Sequence, residues 1–214
     1  MSIDTEKQLA AEAAASFVKD GMTIGLGTGS TVAFLLPALA RRSLRLRCVA
    51  TSPRTEEAAR QLGLTVEAFD HIDRFDMTID GADQIAPDGW LVKGGGAAHT
   101  REKIAAAAAD RFVVIADSSK RVTRLRPPIP LELLSFGLPA TLRHLGTVSL
   151  RDVPPSPDGG VIADFTGDVD DLAGLAARLS ATPGVMAHGL FPPEMVSTVL
   201  IGQGQSVERT DFPH

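Results

Sequence analysis

Short apolar segments alternate with helical patterns along the first half of the chain, and this alternation limits the possible folds more than any other feature. Buried strands are predicted at 22–26, 46–51, 64–69, 75–80 and 112–116, with a shorter one at 90–92. Helices are predicted at 5–19, 32–42, 54–62 and 99–109. Because strands joined by helices must cross over and run parallel, the pattern predicts an α/β fold, a mostly parallel sheet with helices on both faces.

The pattern changes near Pro127 and Pro128. The segments beyond them read as strand 129–134, helix 138–145, strands 147–152 and 161–165, helix 169–179 and strand 185–191. This β-α-β-β-α-β order is that of a ferredoxin-like unit, so a smaller α+β domain is expected. The predicted division places residues 1–128 and 197–214 in an α/β domain and residues 129–196 in the smaller one.

Composition excludes several classes of protein. The net charge is −5, and the short basic stretches at 41–47 and 120–126 contain no aromatic side chains for base stacking, so no nucleic-acid partner is expected. No apolar run approaches the roughly 20 residues that cross a bilayer, and the first residues lack the apolar segment of a secretory signal. The single cysteine, Cys48, lies in an apolar segment and is typical of a packed residue in a reducing compartment. We therefore expect no membrane association and a cytoplasmic location.

A glycine-rich segment, Gly25–Thr31 with the sequence GLGTGST, follows the first predicted strand. Glycines allow a backbone to approach a ligand closely, and the free N–H groups at a helix start favour an anion. The segment lacks both the lysine of a Walker loop and the glycine spacing of a dinucleotide fold. It predicts either a phosphate-binding turn or a tight turn with a Ser/Thr helix cap.

Two acids follow the strand 75–80, in the segment Asp80-Gly81-Ala82-Asp83. Ligands of parallel sheets bind beyond the carboxyl ends of the strands, so Asp80 is expected to face the crevice. Two carboxylates three residues apart orient sugar hydroxyls and pass protons during ring opening. The alternative interpretation is an acidic turn. No histidine or third acid is spaced to complete a metal site, so no metal is expected.

The segment Lys93–Lys103, with the sequence KGGGAAHTREK, contains the residue types that proton transfer requires. Its three consecutive glycines, together with the Lys93 ammonium group, predict a backbone that stabilises a negatively charged oxygen. Glu102 falls in the first turn of a predicted helix, where an acid also complements the helix dipole. A capping box from Thr100 would place an acid at position 103, which is a lysine. A carboxylate beside a glycine-lined crevice is suited to removing a proton next to a carbonyl group.

A fourth segment, Asp117–Lys120, follows the strand 112–116 and ends in a lysine that is either a phosphate ligand or a surface residue. All four segments follow strands of one predicted sheet, so their polar side chains are expected to meet. Together they predict an anion site, two acids that orient hydroxyls, an oxyanion donor and a base. That set fits the enolisation of a phosphorylated carbonyl compound.

With these motifs in place, the chain resembles the ribose-5-phosphate isomerase A family. The resemblance rests on GLGTGST, ATSPRTEEAARQLG, DGADQI, KGGGAAHTREK and IADSSK, in the order and spacing of that family. It continues through PDGGVIADF, PGVMAHGLF and VSTVLIG, and so covers nearly the whole chain.

The resemblance implies an aldose–ketose isomerase that interconverts ribose 5-phosphate and ribulose 5-phosphate without a metal or cofactor, as a homodimer or dimer of dimers. It implies that Glu102 is the base, that Lys93 stabilises the developing negative oxygen, and that Asp80 and Asp83 handle the sugar hydroxyls. It also implies a set of substrate contacts: Lys7, Thr28, Gly29, Ser30, Thr31, Gly81, Ala82, Gly94, Gly95, Gly96 and Lys120.

The chain departs from the family pattern at a few positions. Gln84 replaces a common acid, His99 replaces a common aliphatic residue, and the segment 124–130 lacks the usual glycine. His99 is interpreted either as a packed polar residue or as a group that adjusts the pH profile. Two other functions are weighed: a sugar-phosphate sensor, which would need an output module, and a related enzyme such as an aminosugar-phosphate deaminase or a coenzyme A transferase. The joint presence of Glu102 and Lys93 favours catalysis over a sensor, whereas a deaminase would use a different base arrangement and a transferase a glutamate nucleophile in its own motif.

Overall fold

The computed structural model describes residues 2–213, which form thirteen strands and six α-helices. The strands are β1 (Thr23–Leu26), β2 (Arg47–Ala50), β3 (Met77–Asp80), β4 (Gln84–Ile85), β5 (Leu91–Val92), β6 (Phe112–Asp117), β7 (Ile129–Leu133), β8 (Val148–Leu150), β9 (Val161–Phe165), β10 (Val185–His188), β11 (Leu190–Phe191), β12 (Thr198–Gln203) and β13 (Ser206–Asp211). The helices are α1 (Ile3–Phe17), α2 (Val32–Ala40), α3 (Pro53–Gln61), α4 (His99–Ala107), α5 (Leu138–Leu145) and α6 (Leu172–Ala181). Short 3₁₀ turns lie at Phe69–His71, Ser118–Lys120 and Pro193–Met195.

A six-stranded sheet with the order β13-β12-β6-β3-β1-β2 forms the centre of the molecule. Its strands pair in parallel except for β13, which pairs antiparallel with β12. Alternate residues of β6 bury opposite faces: Val113 and Ile115 pack with α1 and α2, whereas Phe112 and Val114 pack with Ala106 of α4. The predicted α/β fold, with a mostly parallel sheet covered on both faces, is therefore confirmed.

A second sheet, with the order β10-β7-β9-β8, is antiparallel throughout and carries α5 and α6. Its core joins Leu131 and Phe165 from the strands to Leu145, Leu175 and Leu179 from the helices. The predicted β-α-β-β-α-β order is confirmed for this segment. The division of the chain into domains of residues 1–128 with 197–214 and of residues 129–196 stays a prediction.

A third, three-stranded sheet of order β11-β5-β4 lies between these two and was not predicted. It arises because the strand predicted at 185–191 is broken at Gly189, after which β11 pairs with β5. Gly189 is required there, since a Cβ would lie 2.1 Å from the carbonyl oxygen of Lys93. The Gly189 carbonyl in turn accepts a 2.9 Å hydrogen bond from the Lys93 N–H group. The interruption thus fixes the backbone of Lys93.

The strand predicted at 64–69 is wrong in extent. Val66 forms an isolated parallel bridge with Cys48, through hydrogen bonds that involve Thr65 and Glu67 only. The chain then enters the 3₁₀ turn Phe69–His71, where Phe69 stacks on Phe75 with ring centroids 4.7 Å apart. The apolar residues of this segment therefore pack against neighbouring side chains and do not form an extended strand.

Across residues 2–213, no helix is both long enough and apolar enough to span a membrane.

The contact between β12 and α1 leads to a first prediction. A Cβ on Gly202 of β12 would lie 1.9 Å from the carbonyl oxygen of Glu6 in α1. Because both atoms belong to backbone, we expect Gly202→Ala to lower the free energy of unfolding by about 1–3 kcal/mol, measured by urea denaturation. Gln203→Ala, at the exposed neighbouring position, should change it by less than about 0.5 kcal/mol. Equal effects of the two substitutions would contradict this account of the packing.

Candidate active site

A cavity of about 260 Å³ opens beyond the carboxyl ends of β1 and β3 in the parallel sheet. Most residues that the sequence singled out line this cavity: Thr28, Gly29, Ser30, Thr31, Gly81, Ala82, Asp83, Lys93, Gly94, Gly95, Gly96, Glu102 and Lys120. The structure thus brings together all four predicted segments. Three of the segments follow β1, β3 and β6 of the parallel sheet, whose carboxyl ends lie at one edge. The segment Lys93–Lys103 instead follows β5 of the antiparallel three-stranded sheet, so the prediction that all four segments follow strands of one sheet is wrong.

Three buried charged side chains form one wall of the site. Lys93 Nζ lies 2.8 Å from Asp80 Oδ2 and 3.2 Å from Glu102 Oε2, and it donates a further hydrogen bond to the Gly81 carbonyl oxygen at 2.5 Å. All three side chains are at most 4% exposed. The Phe191 ring, with its centroid 5.5 Å from Nζ, adds a cation–π contact. One cation therefore faces two carboxylates, and all three side chains are almost fully buried.

The electrostatics of this group favour a proton acceptor at Glu102. Burial, followed by repulsion from Asp80, raises the pKa of Glu102 to about 8, although Lys93 acts in the opposite direction. Burial would lower the pKa of Lys93, but the two carboxylates outweigh it and raise that pKa to about 12. Burial also raises the pKa of Asp80 above its usual range, against Lys93 and two backbone N–H groups. Lys93 is therefore a permanent cation, and Glu102 is a carboxyl group that binds a proton unusually well.

Backbone groups hold Asp80 in place. Its Oδ1 accepts hydrogen bonds from the N–H groups of Thr28 at 3.0 Å and Gly81 at 2.7 Å. The chain at Gly27 passes so close that a Cβ there would lie 1.9 Å from Asp80 Oδ1. Asp80 itself is fully buried and does not line the cavity. Its effect on a bound molecule must therefore pass through Lys93.

Asp83 and the glycine segment form the opposite wall. Asp83 Oδ2 accepts a 2.7 Å hydrogen bond from the Gly95 N–H group. This N–H group already donates to a protein acceptor, so the expectation that the amides 94–96 all face an oxyanion needs revision at Gly95. Arg151, held by Asp164, donates a 2.9 Å hydrogen bond to the Gly94 carbonyl oxygen. The second sheet thus supports the glycine segment.

The other end of the cavity is suited to an anion. The glycine-rich segment leads into α2, whose first turn receives no side-chain capping bond from Thr31, so N–H groups at this helix start favour negative charge. Lys120 adds a cation. Two further residues on this wall, Ser52 and Arg54, were not predicted. They follow β2 and lie at the start of α3. Because ligands of parallel sheets bind beyond the carboxyl ends of the strands, the same rule applied to β2 predicts them.

Lys7 is the one predicted substrate contact that neither lines the cavity nor belongs to the buried charged group. It lies on α1, with Nζ 3.7 Å from Asp4 and a side chain 14% exposed. The neighbouring Glu6 accepts hydrogen bonds from the N–H and hydroxyl groups of Ser118, in the turn that carries Lys120. Lys7 is therefore the sequence neighbour of a residue that contacts the turn of Lys120. Its contact with substrate stays a prediction.

The unusual residues His99 and Gln84 have different surroundings. His99 is fully buried, and its ring packs so closely on Gly94 that a Cβ there would lie 2.7 Å from Nδ1. Burial and the charges of Lys103 and Arg151 lower the pKa of His99 to about 4, which leaves the ring neutral near pH 7. Gln84 exchanges two 2.8 Å hydrogen bonds with the backbone of Arg126, so it ties down the segment that also departs from the family pattern.

Within residues 2–213, no cluster of three or more His, Cys, Asp or Glu side chains is arranged to hold a metal ion. Cys48 is buried, and burial raises the pKa of its thiol to about 12, which fits a packed residue.

Comparisons with known proteins agree with this geometry. A family model described as ribose 5-phosphate isomerase A (phosphoriboisomerase A) matches residues 47–206, and a model of the DeoR C-terminal sensor domain matches residues 3–66. Ribose-5-phosphate isomerase A of Caulobacter vibrioides is 42% identical over 225 residues, which cover 98% of this chain and 99% of the relative.

Two solved structures share the whole fold. Ribose 5-phosphate isomerase A from Neisseria gonorrhoeae superposes with a TM-score of 0.93 at 31% identity, over 98% of this chain and 97% of the other. A D-ribose-5-phosphate isomerase in complex with phospho-erythronic acid superposes with a TM-score of 0.92 at 31% identity, over 99% and 100% of the two chains. From the matching family model and the near-complete coverage of these relatives, the chain belongs to the ribose 5-phosphate isomerase A family.

Proposed function

We propose that this protein is an aldose–ketose isomerase that interconverts ribose 5-phosphate and ribulose 5-phosphate through an enediolate, as a step of the pentose phosphate pathway. The observation that carries the proposal is the 3.2 Å contact between Lys93 Nζ and Glu102 Oε2 on the wall of a cavity that Lys120 and Arg54 also line. A base and an oxyanion donor thus share one cavity with two cations suited to a phosphate.

In the proposed reaction Glu102 removes the proton from C2 of the open-chain aldose, and the electron pair of that C–H bond forms the C1–C2 double bond of the enediolate. The Lys93 ammonium group stabilises the negative oxygen. Glu102 then returns the proton to C1, which completes the ketose. Because Asp83 lines the cavity and Asp80 does not, Asp83 is assigned the transfer of the hydroxyl proton between O1 and O2. Asp80 holds Lys93 charged and in place.

The phosphate is assigned to the turn Thr28–Thr31 with Lys120 and Arg54, and Lys7 to the same end of the site. Gly81, Ala82 and the glycines 94–96 are assigned to close backbone contacts with the sugar. The similar protein described with phospho-erythronic acid supports this assignment, because a phosphorylated sugar acid presents a phosphate at one end and a carboxylate at the other. That carboxylate has the charge that the enediolate oxygen develops.

A homodimer or dimer of dimers and a cytoplasmic location complete the proposal, and both rest on family membership. No metal or cofactor is assigned a role in it. The sensor alternative gains support from the DeoR sensor model, which matches residues 3–66. The matched residues do not include Lys93 and Glu102, which catalysis requires and binding alone does not. Conversion of substrate, rather than binding alone, therefore separates the two functions.

The proposed base gives a prediction for Glu102. The wild-type protein should convert ribose 5-phosphate in the presence of EDTA and without added cofactor, and it should exchange the C2 hydrogen with solvent. Glu102→Gln keeps the shape of the side chain but removes the base, so we expect turnover to fall by at least about 10²–10⁴-fold and the exchange, followed by NMR in D₂O, to stop.

Glu194→Gln, at an exposed acid outside the cavity, is the matched control and should leave both rates unchanged. Retained exchange in the Glu102 variant would remove Glu102 from the role of base. Binding without conversion by the wild-type protein would instead support a sensor.

The raised pKa of Glu102 gives a prediction for the pH profile. A general base acts in its deprotonated form, so kcat/KM should fall as the pH is lowered through the pKa of Glu102, near 8 rather than near the ordinary 4.5. The second ionisation of the substrate phosphate lies near ~6, and its effect is therefore separable. An acid limb centred between pH 4 and 5 would contradict the burial effect on Glu102.

Removing the central cation should affect both chemistry and stability. Lys93→Met leaves two buried carboxylates without a counter-ion, so we expect the free energy of unfolding to fall by about 3–5 kcal/mol and kcat to fall by at least about 10²-fold. The carboxyl pKa values of the folded variant lie above those of its unfolded chain, so this stability deficit should grow as pH rises. Lys19→Met, at an exposed lysine, serves as the control and should change neither quantity. A deficit that shrinks with rising pH would argue against the two facing carboxylates as its cause.

A further inference from the structure

The helix that carries Glu102 begins without a cap of its own. Ala98 precedes α4 and supplies no side-chain hydrogen bond to its first turn. Ala97, one residue earlier, has a φ of 59°, in the left-handed region that side chains other than glycine rarely adopt. Backbone of this kind persists only where the surrounding structure holds it. The position of the first turn must therefore be set by contacts with other elements.

The contacts come from the second sheet and centre on Glu132 of β7. This carboxylate is 1% exposed and accepts hydrogen bonds from two hydroxyl groups, those of Thr100 in the first turn of α4 and Ser156 in the segment before β9. The chain packs tightly around it, since a Cβ on Gly160 would lie 2.2 Å from Glu132 Oε1. Thr100 is thus fixed to a buried group of another sheet.

A second connection closes a ring of contacts. The Ser156 hydroxyl accepts hydrogen bonds from the N–H groups of Asp158 at 3.1 Å and Gly160 at 3.0 Å. The Asp158 carboxylate then accepts two 2.8 Å hydrogen bonds from Arg101. Thr100 and Arg101 are therefore both attached to one segment of the second sheet, and the next residue in the helix is Glu102.

Stability alone is a poor explanation for this arrangement. A buried carboxylate that is bound only by hydroxyl groups pays a desolvation penalty that an apolar side chain would avoid. Among the described residues no lysine, arginine or histidine forms an ion pair with Glu132 within 4.0 Å. The hydrogen bond between the Glu132 carboxylate and Thr100 is directional, so it fixes the orientation of the first turn of α4. Such precision matters because a misplacement of about 1 Å in a catalytic group lowers a rate by up to ~10²-fold.

We infer that Glu132 is a positioning residue for Glu102: through Thr100 it fixes the first turn of α4 so that the Glu102 carboxylate stays beside Lys93. The inference rests on the proposed role of Glu102 as base. Neither Glu132 nor Thr100 lines the cavity that is assigned to the substrate. Their loss should therefore change the proton-transfer step and leave binding of the phosphate in place.

The test is Thr100→Val, which keeps the shape of the side chain and removes the hydroxyl group that Glu132 binds. We expect kcat to fall by about 10–100-fold, with the KM for ribose 5-phosphate within about 3-fold of the wild-type value, and the acid limb of kcat/KM to move. Thr100→Ser restores the hydroxyl group and should recover kcat to within about 2-fold of the wild-type value. Should Thr100→Val fail to fold, Thr100→Ala removes the same hydroxyl without added bulk.

Thr198→Val is the matched control, because Thr198 is 1% exposed and donates a 2.8 Å hydrogen bond to the Asp211 carboxylate, in the pair of β12 with β13 rather than to Glu132. It should lower Tm without changing kcat. The inference is overturned if Thr100→Val keeps the wild-type kcat and pH profile, or if Thr100→Ser is as slow as Thr100→Val. Glu102→Gln, measured in parallel, separates failure of the proposed base from failure of the positioning role. If Glu102→Gln keeps C2 exchange, the role of Glu102 as base is wrong. If Glu102→Gln is inactive and Thr100→Val is fully active, only the positioning role of Glu132 is rejected.

Discussion

The ammonium group of Lys93, buried between the carboxylates of Asp80 and Glu102, is the interaction on which the rest of the site depends. Each of these groups loses several kcal/mol of hydration on burial, and only close pairing offsets that loss. One cation cannot neutralise two carboxylates. Asp80 has the additional support of two backbone N–H groups, whereas Glu102 Oε2 accepts no hydrogen bond of good geometry among the described residues. The excess negative charge is therefore least stabilised at Glu102, which makes it the group that takes up a proton.

The backbone is shaped around this charged group by a few close approaches. Gly27 passes against the Asp80 carboxylate, Gly94 against the His99 ring, and Gly189 against the carbonyl of Lys93. At each place a side chain would have to displace a group that positions Lys93 or its neighbours. The glycines of the KGGG segment thus serve two purposes. Gly94 allows the His99 ring to pack against the backbone, and the N–H group of Gly95 donates a hydrogen bond to Asp83. Flexibility is not needed to explain their presence.

Local sequence patterns predicted what parallel pairing brings together, and little of what long-range packing adds. The segments after the apolar strands identified Asp80 and Lys120, because the carboxyl ends of parallel strands meet at one edge of a sheet. Lys93 and Glu102 were identified from the glycine-rich segment itself, although β5 before it lies in the antiparallel sheet. Arg151 and Glu132 were not found, since their partners Gly94 and Thr100 lie 57 and 32 residues away in sequence. A contact of that kind leaves no periodic pattern in either segment. The same reason explains why the pairing in the three-stranded sheet was not predicted: the segments of β5 and β11 were predicted as strands, but β11 and β5 come together from distant parts of the chain.

The two ends of the cavity consequently depend on different parts of the chain. The end proposed to bind the phosphate is built from the starts of α2 and α3 and the turn of Lys120, all of which follow strands of the six-stranded sheet. The end proposed to transfer the proton depends on α4, whose first turn contacts Glu132 of β7 and Asp158 of the segment before β9. The sensor-domain model matches residues 3–66, which contain the anion turn and the start of α3 and stop before Lys93, Glu102 and the whole second sheet. The residues proposed to bind the phosphate and those proposed to transfer the proton therefore belong to different parts of the chain, and only the helix of Glu102 is held by the second sheet through Thr100 and Arg101.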